Sequence, residues 1–178
     1  MILFGAAVGI QTSISCQVGR YIGVQDVERA RDFFRVGKWV ARLQIALTAL
    51  AFYMANQWTI QQFTDSEDVK RVWDSIIIFV AFNFIPDHWQ TFSQGVVRGL
   101  GVQQQLVMTI LSIYWLINLP LCYILAFPVG AGIKGLWISQ SLSLSLIGFC
   151  INRKVNTVDW HLCSLEAISR SEKATQKR

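Results

Sequence analysis

An acidic side chain, Asp87, lies within a stretch of sequence that is otherwise apolar enough to cross a membrane. The stretch covers residues 75–95, about the length that a helix needs to span a bilayer, and Asp87 is its only acidic residue. A charge at that depth costs about 3 kcal/mol or more unless it faces a cavity or a partner. Asp87 is therefore the first candidate for a residue that binds an ion or a substrate.

Other polar side chains accompany Asp87 at helical spacing. Residues three and four apart share one face of a helix, so a polar stripe is predicted for the amide and hydroxyl residues Asn83, Gln90, Thr91 and Gln94. The next apolar segment carries Tyr114 and Asn118, and Pro86 and Pro120 favour a kink in each helix. These polar residues are the predicted lining of a water-accessible cavity, although such a stripe can also serve only to pack helices together.

His88 follows Asp87 directly and could relay protons. Adjacent helix positions point about 100° apart, however. We therefore expect His88 to be a packing residue that faces lipid or the membrane interface.

The composition is that of a membrane protein. The chain is 53% hydrophobic and 15% charged, with a mean hydropathy of +0.39, whereas soluble domains are roughly 25% charged. Hydropathy predicts an all-α fold with about five transmembrane helices, at residues 2–19, 40–58, 75–95, 104–127 and 133–151. The second is the weakest, because its uninterrupted apolar run is short. Residues 1–152 should form the transmembrane bundle and residues 153–178 a tail.

The basic residues fall mainly on one side of this five-helix path. They number 16, and all but Lys70, Arg71 and Lys134 lie on the side of the tail. The positive-inside rule then predicts a multi-pass chain that starts outside and ends with a cytoplasmic tail. This division also accounts for the net charge of +5, so nucleic acid is not an expected partner.

The sequence contains no recognisable metal or catalytic pattern. Cys150, His161 and Cys163 lack the fourth ligand and the regular spacing of a zinc site. The four cysteines lie in or near spans or in the tail, and do not form a disulfide framework. No nucleophile pattern accompanies Asp87 and His88. We therefore expect no cofactor, no metal and no enzymatic activity.

Five short motifs, in the same order, resemble those of multidrug and toxic compound extrusion (MATE) transporters. Residues 9–31 resemble a small-residue helix and the motif that follows it, although Gln17 replaces a basic residue and Arg20 an asparagine; the matching residues are Val18, Gly19, Gly23, Ala30 and Arg31. Residues 63–65 are similar to the family's Phe-Thr-Asp, and residues 94–103 to its Gly-Val-x-Arg-Gly-x-Gly-x-Gln. Residues 119–120 and 135–137 complete the order.

The resemblance implies that the chain corresponds to helices eight to twelve of a twelve-helix, two-lobe transporter. Eukaryotic members carry an acid twelve positions before the glycine that follows the motif arginine, and Asp87 stands twelve positions before Gly99. The implied activity is secondary antiport, in which cationic or amphipathic small molecules are exported while protons or sodium ions enter.

Length is the main departure from the family. Seven helices of the family's fold have no counterpart here, so we expect a fragment or an incomplete gene product that lacks the N-terminal lobe. Two alternatives remain. One is a membrane interaction protein derived by truncation, which does not transport. The other is a related lipid or saccharide flippase, which would be expected to carry more basic residues within its spans.

Overall fold

The computed structural model describes residues 2–176, and these form six helices without any strand, as the all-α prediction required. Connections of two to five residues join the helices. Among consecutive helices, the first three pack on one another in turn, and so do the fourth and fifth. The helices are α1 (Ile2–Gly23), α2 (Val27–Phe63), α3 (Glu67–Gly99), α4 (Gln104–Ala126), α5 (Gly132–Thr157) and α6 (Trp160–Gln176).

Each of the five predicted spans corresponds to one of the helices α1 to α5. Among the described residues, α4 and α5 are long and apolar enough by themselves to cross a membrane, with mean hydropathies of 1.8 and 1.2 over their best windows. That α1, α2 and α3 also cross stays a prediction. Residues 160–176 of the predicted tail form α6, while Lys177 and Arg178 lie outside the described residues.

Helices α1 and α3 cross closely at three glycines. A Cβ atom at Gly95 would lie 2.5 Å from the Gln11 carbonyl oxygen, and one at Gly99 would lie 2.9 Å from that of Ser15. Gly19 faces Gly99 across the same contact. Small residues let helix backbones approach in this way. The crossing fixes the face of α3 that carries the polar stripe.

Helix α4 changes its winding before Pro120. Residues Ile113–Asn118 form a π-helical segment between two α-helical parts of α4. Proline has no N–H and its ring crowds the carbonyl one turn back, and local widening of a helix is one way to relieve that conflict. By contrast, α3 continues as a helix through Pro86.

The basic ends of the helices lie together at one end of the bundle. Helix α6 packs there on α1, where the Ser164 hydroxyl donates a hydrogen bond to the Ile22 carbonyl at 2.8 Å. The Arg170 guanidinium lies against Gly101 in the turn between α3 and α4. Gly101 has φ +73°, a conformation that favours glycine. We call this region the basic end; it includes Arg20, Arg29, Arg31, Arg35, Arg98 and Arg170.

Candidate functional site

Asp87 occupies the middle of α3 with its carboxylate partly accessible. The side chain is 25% exposed, whereas its sequence neighbours Pro86 and His88 are buried. The Gln90 side chain, one turn further along α3, interacts with the carboxylate. The acid is therefore neither on a fully open surface nor sealed in the packed core.

A series of amides leads from Asp87 toward the basic end. The Gln94 Nε2 atom donates a hydrogen bond to Gln90 Oε1 at 2.7 Å, and Gln11 Nε2 in α1 donates to Gln94 Oε1 at 3.4 Å. Gln90 is buried and Gln94 is half-buried. Gln90 and Gln94 of the predicted stripe thus form a hydrogen-bonded row, which continues onto α1 through Gln11.

Asp87 lies on the side of α3 that faces α4, and the two helices are not packed against each other on this side. Helices α3 and α4 both pack on α5 but not directly on each other. A cavity of about 360 Å³ opens in the gap near the basic end, with Gln94, Arg98, Leu106 and Ile110 in its lining. Asp87 is seven residues before Gln94, or roughly 10 Å along the helix, and does not line this cavity.

Tyr114 of α4 belongs to the surroundings of Asp87. The Asp87 carboxylate is close enough for its charge to act on the Tyr114 phenol. The same phenol interacts with the Gln140 side chain of α5. An acid, a phenol and two amides from three helices therefore share one region.

Asn118 is the centre of a separate hydrogen-bond network between α4 and α5. Its Oδ1 atom accepts hydrogen bonds from the hydroxyls of Ser139 and Ser143 at 2.9 and 3.1 Å. Its Nδ2 atom donates to Gln140 Oε1 at 3.1 Å. Ser139 and Ser143 are almost completely buried. Asn118 therefore joins α4 to α5, and among the described residues Gln140 and Tyr114 connect it to the Asp87 region.

Asn83 has a comparable role on α3. Its Oδ1 atom accepts a hydrogen bond from the Ser141 hydroxyl of α5 at 2.9 Å. Thr91 is buried and takes part in none of these hydrogen bonds. Of the predicted lining residues, Gln90, Gln94 and Tyr114 are those that the structure associates with Asp87 or with the gap.

The serines of α5 were not identified from the sequence, although their spacing carries a signal. They alternate in Ser139-Gln-Ser-Leu-Ser-Leu-Ser145, which resembles a strand pattern. On a helix, Ser139 and Ser143 share one face because they are four apart. Ser141 lies on another face, so α5 presents hydroxyls to α4 and to α3 at the same time.

His88 differs from its prediction. The residue is 2% exposed, and its ring lies edge-on to the Phe84 ring with centroids 5.5 Å apart. Phe52 of α2 packs edge-on against Phe84 at 4.9 Å. The expected location facing lipid or the interface was wrong, because this side of α3 is covered by α2.

The glycine pairs also need one correction. Small-xxx-small spacing, which occurs at Gly5/Gly9, Gly19/Gly23 and Gly95/Gly99, predicts close helix contacts at all of these glycines. A Cβ atom at Gly5, Gly9 or Gly23 would meet none of the described atoms within 4 Å. Close packing occurs instead at Gly37, where a Cβ would lie 2.8 Å from Ile14 Cδ1, and at Gly135, where it would lie 2.8 Å from the backbone of Leu125.

Comparisons with known proteins agree with the motifs. The MatE family model matches residues 1–124. A probable multidrug resistance protein NorM of Pseudomonas syringae pv. tomato is 28% identical over 149 residues, which are 79% of this chain and 32% of that protein. The uncharacterized transporter C4B3.13 of Schizosaccharomyces pombe is 29% identical over 145 residues, covering 81% of this chain and 27% of that protein.

The fold has a counterpart among solved structures. The crystal structure of the eukaryotic MATE transporter AtDTX14 matches 94% of this chain and 38% of its own with a TM-score of 0.88, at 20% identity. The chain thus spans about a third of the length of the relatives that it matches. Since the family model covers well over half of it, the chain belongs to the MATE family of integral membrane transporters.

Proposed function

We propose that this chain provides the Asp87-bearing part of a secondary antiporter that exports organic cations or other amphipathic compounds in exchange for protons or sodium ions. The observation that carries the proposal is the setting of Asp87. Its carboxylate is partly accessible on the side of α3 from which α4 is kept apart by α5. The names of the similar multidrug resistance proteins and of the MATE transporter structure support this class of activity.

Exchange follows from the chemistry of a single carboxylate. A proton neutralises Asp87, and an organic cation can pair with it only after that proton has left. The two ligands therefore compete for one group. When a site of this kind is exposed alternately to the two sides of a membrane, competition couples inward flow of one ligand to outward flow of the other.

The surroundings suit an amphipathic substrate. Gln90 offers an amide group beside the acid, while Gln94, Leu106 and Ile110 line the cavity near the basic end and give it apolar walls with one amide. Pockets that combine an apolar lining with few polar groups are typical of sites for small organic molecules. We infer that a cation enters from the basic end, passes Gln94 and pairs with Asp87.

The position of the basic end sets the direction. By the positive-inside rule we place this end, together with α6, in the cytoplasm. The substrate would then enter from the cytoplasm and leave on the opposite side. Apolar side chains on the outer face of α4, such as Met108, Trp115 and Leu116, are exposed and would contact lipid or a facing N-terminal lobe.

The test is export of a fluorescent organic cation from proteoliposomes that contain the transporter, under an imposed pH or sodium gradient and normalised to the amount of protein. Asp87→Asn should abolish gradient-driven export without loss of protein, since asparagine has a similar shape but no charge and no titration. Asp87→Glu should retain partial export.

Asp68→Asn is the matched control. This substitution removes the same charge from an aspartate in the first turn of α3, whose side chain is 85% exposed. The variant should export as the wild type does. Export by Asp87→Asn at the wild-type rate would contradict the proposal. Loss of protein in step with loss of export would identify Asp87 as a structural residue.

A further inference from the structure

His88 is a buried histidine whose ring nitrogens have no hydrogen-bond partner among the described residues. The Phe84 carbonyl lies near the ring, yet neither Nδ1 nor Nε2 makes a hydrogen bond of normal geometry. Leaving a buried polar group unpaired is unfavourable, because the group has lost its hydrogen bonds to water without gaining others. An apolar side chain could fill the space beside Phe84 without that cost, so packing alone does not account for a histidine here.

The closest charged group to the His88 ring is the neighbouring carboxylate. Nδ1 lies 3.6 Å from Asp87 Oδ2, which is too far for a hydrogen bond but close enough for a small side-chain rotation to form one. A neutral imidazole has one donor and one acceptor nitrogen. Nδ1 can therefore donate to an ionised Asp87 or accept from a protonated one.

We propose that Asp87 and His88 together hold the coupling proton, with His88 as the positioning residue; this inference rests on the proposed role of Asp87 in exchange. Loading adds one proton to a carboxylate and a neutral imidazole and closes the O–H···N contact between them. When an organic cation binds, that proton leaves and the carboxylate turns from His88 toward the cation. The pair gains and loses one proton in each cycle.

This arrangement favours a proton over sodium as the coupling ion. Oxygen ligands suit hard metal cations, whereas imidazole nitrogen binds protons and softer transition metals. A sodium site built on Asp87 would gain nothing from His88. Of the two coupling ions that the family implies, proton and sodium, His88 therefore favours the proton.

The other helices near this pair bring few competing charges. The charge of Asp87 acts on the titratable phenol of Tyr114 in α4. The charge that acts on His88 is that of Asp87. Helix α2 covers the ring through Phe52, and its closest basic residue along the chain, Arg42, is almost three turns away. Two further titratable residues are close in sequence to these contacts: Tyr53 follows Phe52 in α2 and is exposed, and Cys150 lies two residues after Gly148 of α5, which lies against Gln90. The other charged or titratable residues of α1 and α5 lie further along their helices: Cys16, Arg20 and Tyr21 of α1, and Lys134, Arg153 and Lys154 of α5.

The first test needs no transport. In nanodiscs that contain the transporter with ¹⁵N-labelled histidine, the His88 ring signals are identified by their loss in His88→Gln and then followed against pH. Asp87→Asn should move the midpoint of these signals by at least one pH unit, a tenfold change in proton affinity. The same midpoint with and without the Asp87 carboxylate would overturn the inference.

The second test is the pH profile of cation export. His88→Phe keeps an aromatic ring against Phe84 but removes both nitrogens, so a packing role predicts a wild-type profile. We expect the pH of half-maximal export to shift by at least one unit in His88→Phe. His88→Gln restores an acceptor, because its amide oxygen can accept a hydrogen bond from a protonated Asp87, so its profile should lie closer to that of the wild type than the profile of His88→Phe.

The two proposals fail differently. Normal export by Asp87→Asn would remove the proposed function, whatever His88 does. Loss of export by Asp87→Asn together with a wild-type profile for His88→Phe would remove only the role of His88. If His88→Phe does not fold, the nitrogen signals of Asp87→Asn still decide the matter.

Discussion

The Asn118 side chain of α4 accepts a hydrogen bond from the Ser139 hydroxyl of α5 at 2.9 Å, and the same hydroxyl lies 3.1 Å from the Asn118 backbone carbonyl. Ser139 is completely buried. One side chain and one carbonyl of α4 are thus tied to a single hydroxyl. The contact lies where α4 is π-helical, so it also fixes the part of α4 whose backbone departs from regular geometry.

Replacing Asn118 should weaken the attachment of α4 to α5. Asn118→Ala leaves the hydroxyls of Ser139 and Ser143 and the Gln140 amide oxygen without this partner. We expect a loss of about 1–3 kcal/mol in the free energy of unfolding, measured by denaturation in mixed detergent micelles. Asn156→Ala, an exposed residue on the same α5, should change stability little. Equal stability of the two variants would show that the network is not structural.

Gly95 should tolerate no side chain. In Gly95→Leu the new Cβ would lie 2.5 Å from the Gln11 carbonyl oxygen, so α1 and α3 would have to separate. We expect the amount of correctly folded protein, measured by size-exclusion chromatography in detergent, to fall severalfold. Gly9→Leu is the control, since a Cβ there meets none of the described atoms. A Gly95→Leu protein of normal abundance that had changed only its substrate selectivity would place this glycine in the transport pathway.

The direction of the helices can be measured by cysteine labelling. In a background without native cysteines, a membrane-impermeant maleimide applied to intact cells should react with Glu67→Cys but not with Lys173→Cys. The reason is that positions 67 and 173 belong to opposite ends of the bundle, and the positive-inside rule assigns the basic end to the cytoplasm. Both positions are exposed, so a difference in labelling would reflect the side of the membrane and not burial within the protein. The reverse pattern would overturn the orientation.

Cys163 in α6 should be a slow nucleophile at neutral pH. Burial raises the pKa of its thiol above the ordinary value, and the carboxylates of Glu166 and Asp159 raise it further. Less thiolate is therefore present near pH 7.5, and alkylation by iodoacetamide, followed by mass spectrometry, should be much slower than at an exposed reference introduced as Glu172→Cys on the same helix. The rate ratio should narrow as the pH rises through the pKa of the folded state. Equal rates at neutral pH would mean that α6 is not docked.

The same raised pKa has a consequence for stability. The folded state favours the protonated thiol, so this contribution is present below the pKa of the unfolded chain, about 8.5, and is lost as the pH rises through the pKa of the folded state. Cys163→Ala should reduce the loss of α6 docking at alkaline pH. The loss of docking can be followed as the rate at which a protease cleaves α6 between pH 7 and pH 10, compared between the wild type and Cys163→Ala.

The helices and the central acid could be predicted because both depend on local pattern. Apolar runs of the right length define α1 to α5, and helical spacing alone places Asn83, Gln90 and Gln94 near Asp87. The close contacts at Gly95 and Gly99 are likewise predicted by a local pattern, the spacing of two small residues four positions apart.

Which helices pack on one another could not be predicted from local sequence patterns. The separation of α3 from α4 by α5 depends on which faces pack, and in a membrane helix both the lipid-facing and the buried face are apolar. The burial of His88 depends on the approach of α2, whose own span was the weakest in hydropathy. The docking of α6 depends on single contacts such as the hydrogen bond from Ser164 to the Ile22 carbonyl. Such contacts leave no periodic pattern in the sequence from which they could be predicted.

The π-helical segment Ile113–Asn118 has the effect of an inserted residue. Because an α-helix turns about 100° per residue, the extra residue changes the direction of every side chain that follows it. In an uninterrupted α-helix, Asn118 would be rotated away from Ser139 relative to the first half of α4. The length of the segment between Gln104 and Asn118 is therefore as constrained as its composition. Deleting a single residue there would alter the alignment of the two halves of α4 without removing any polar group.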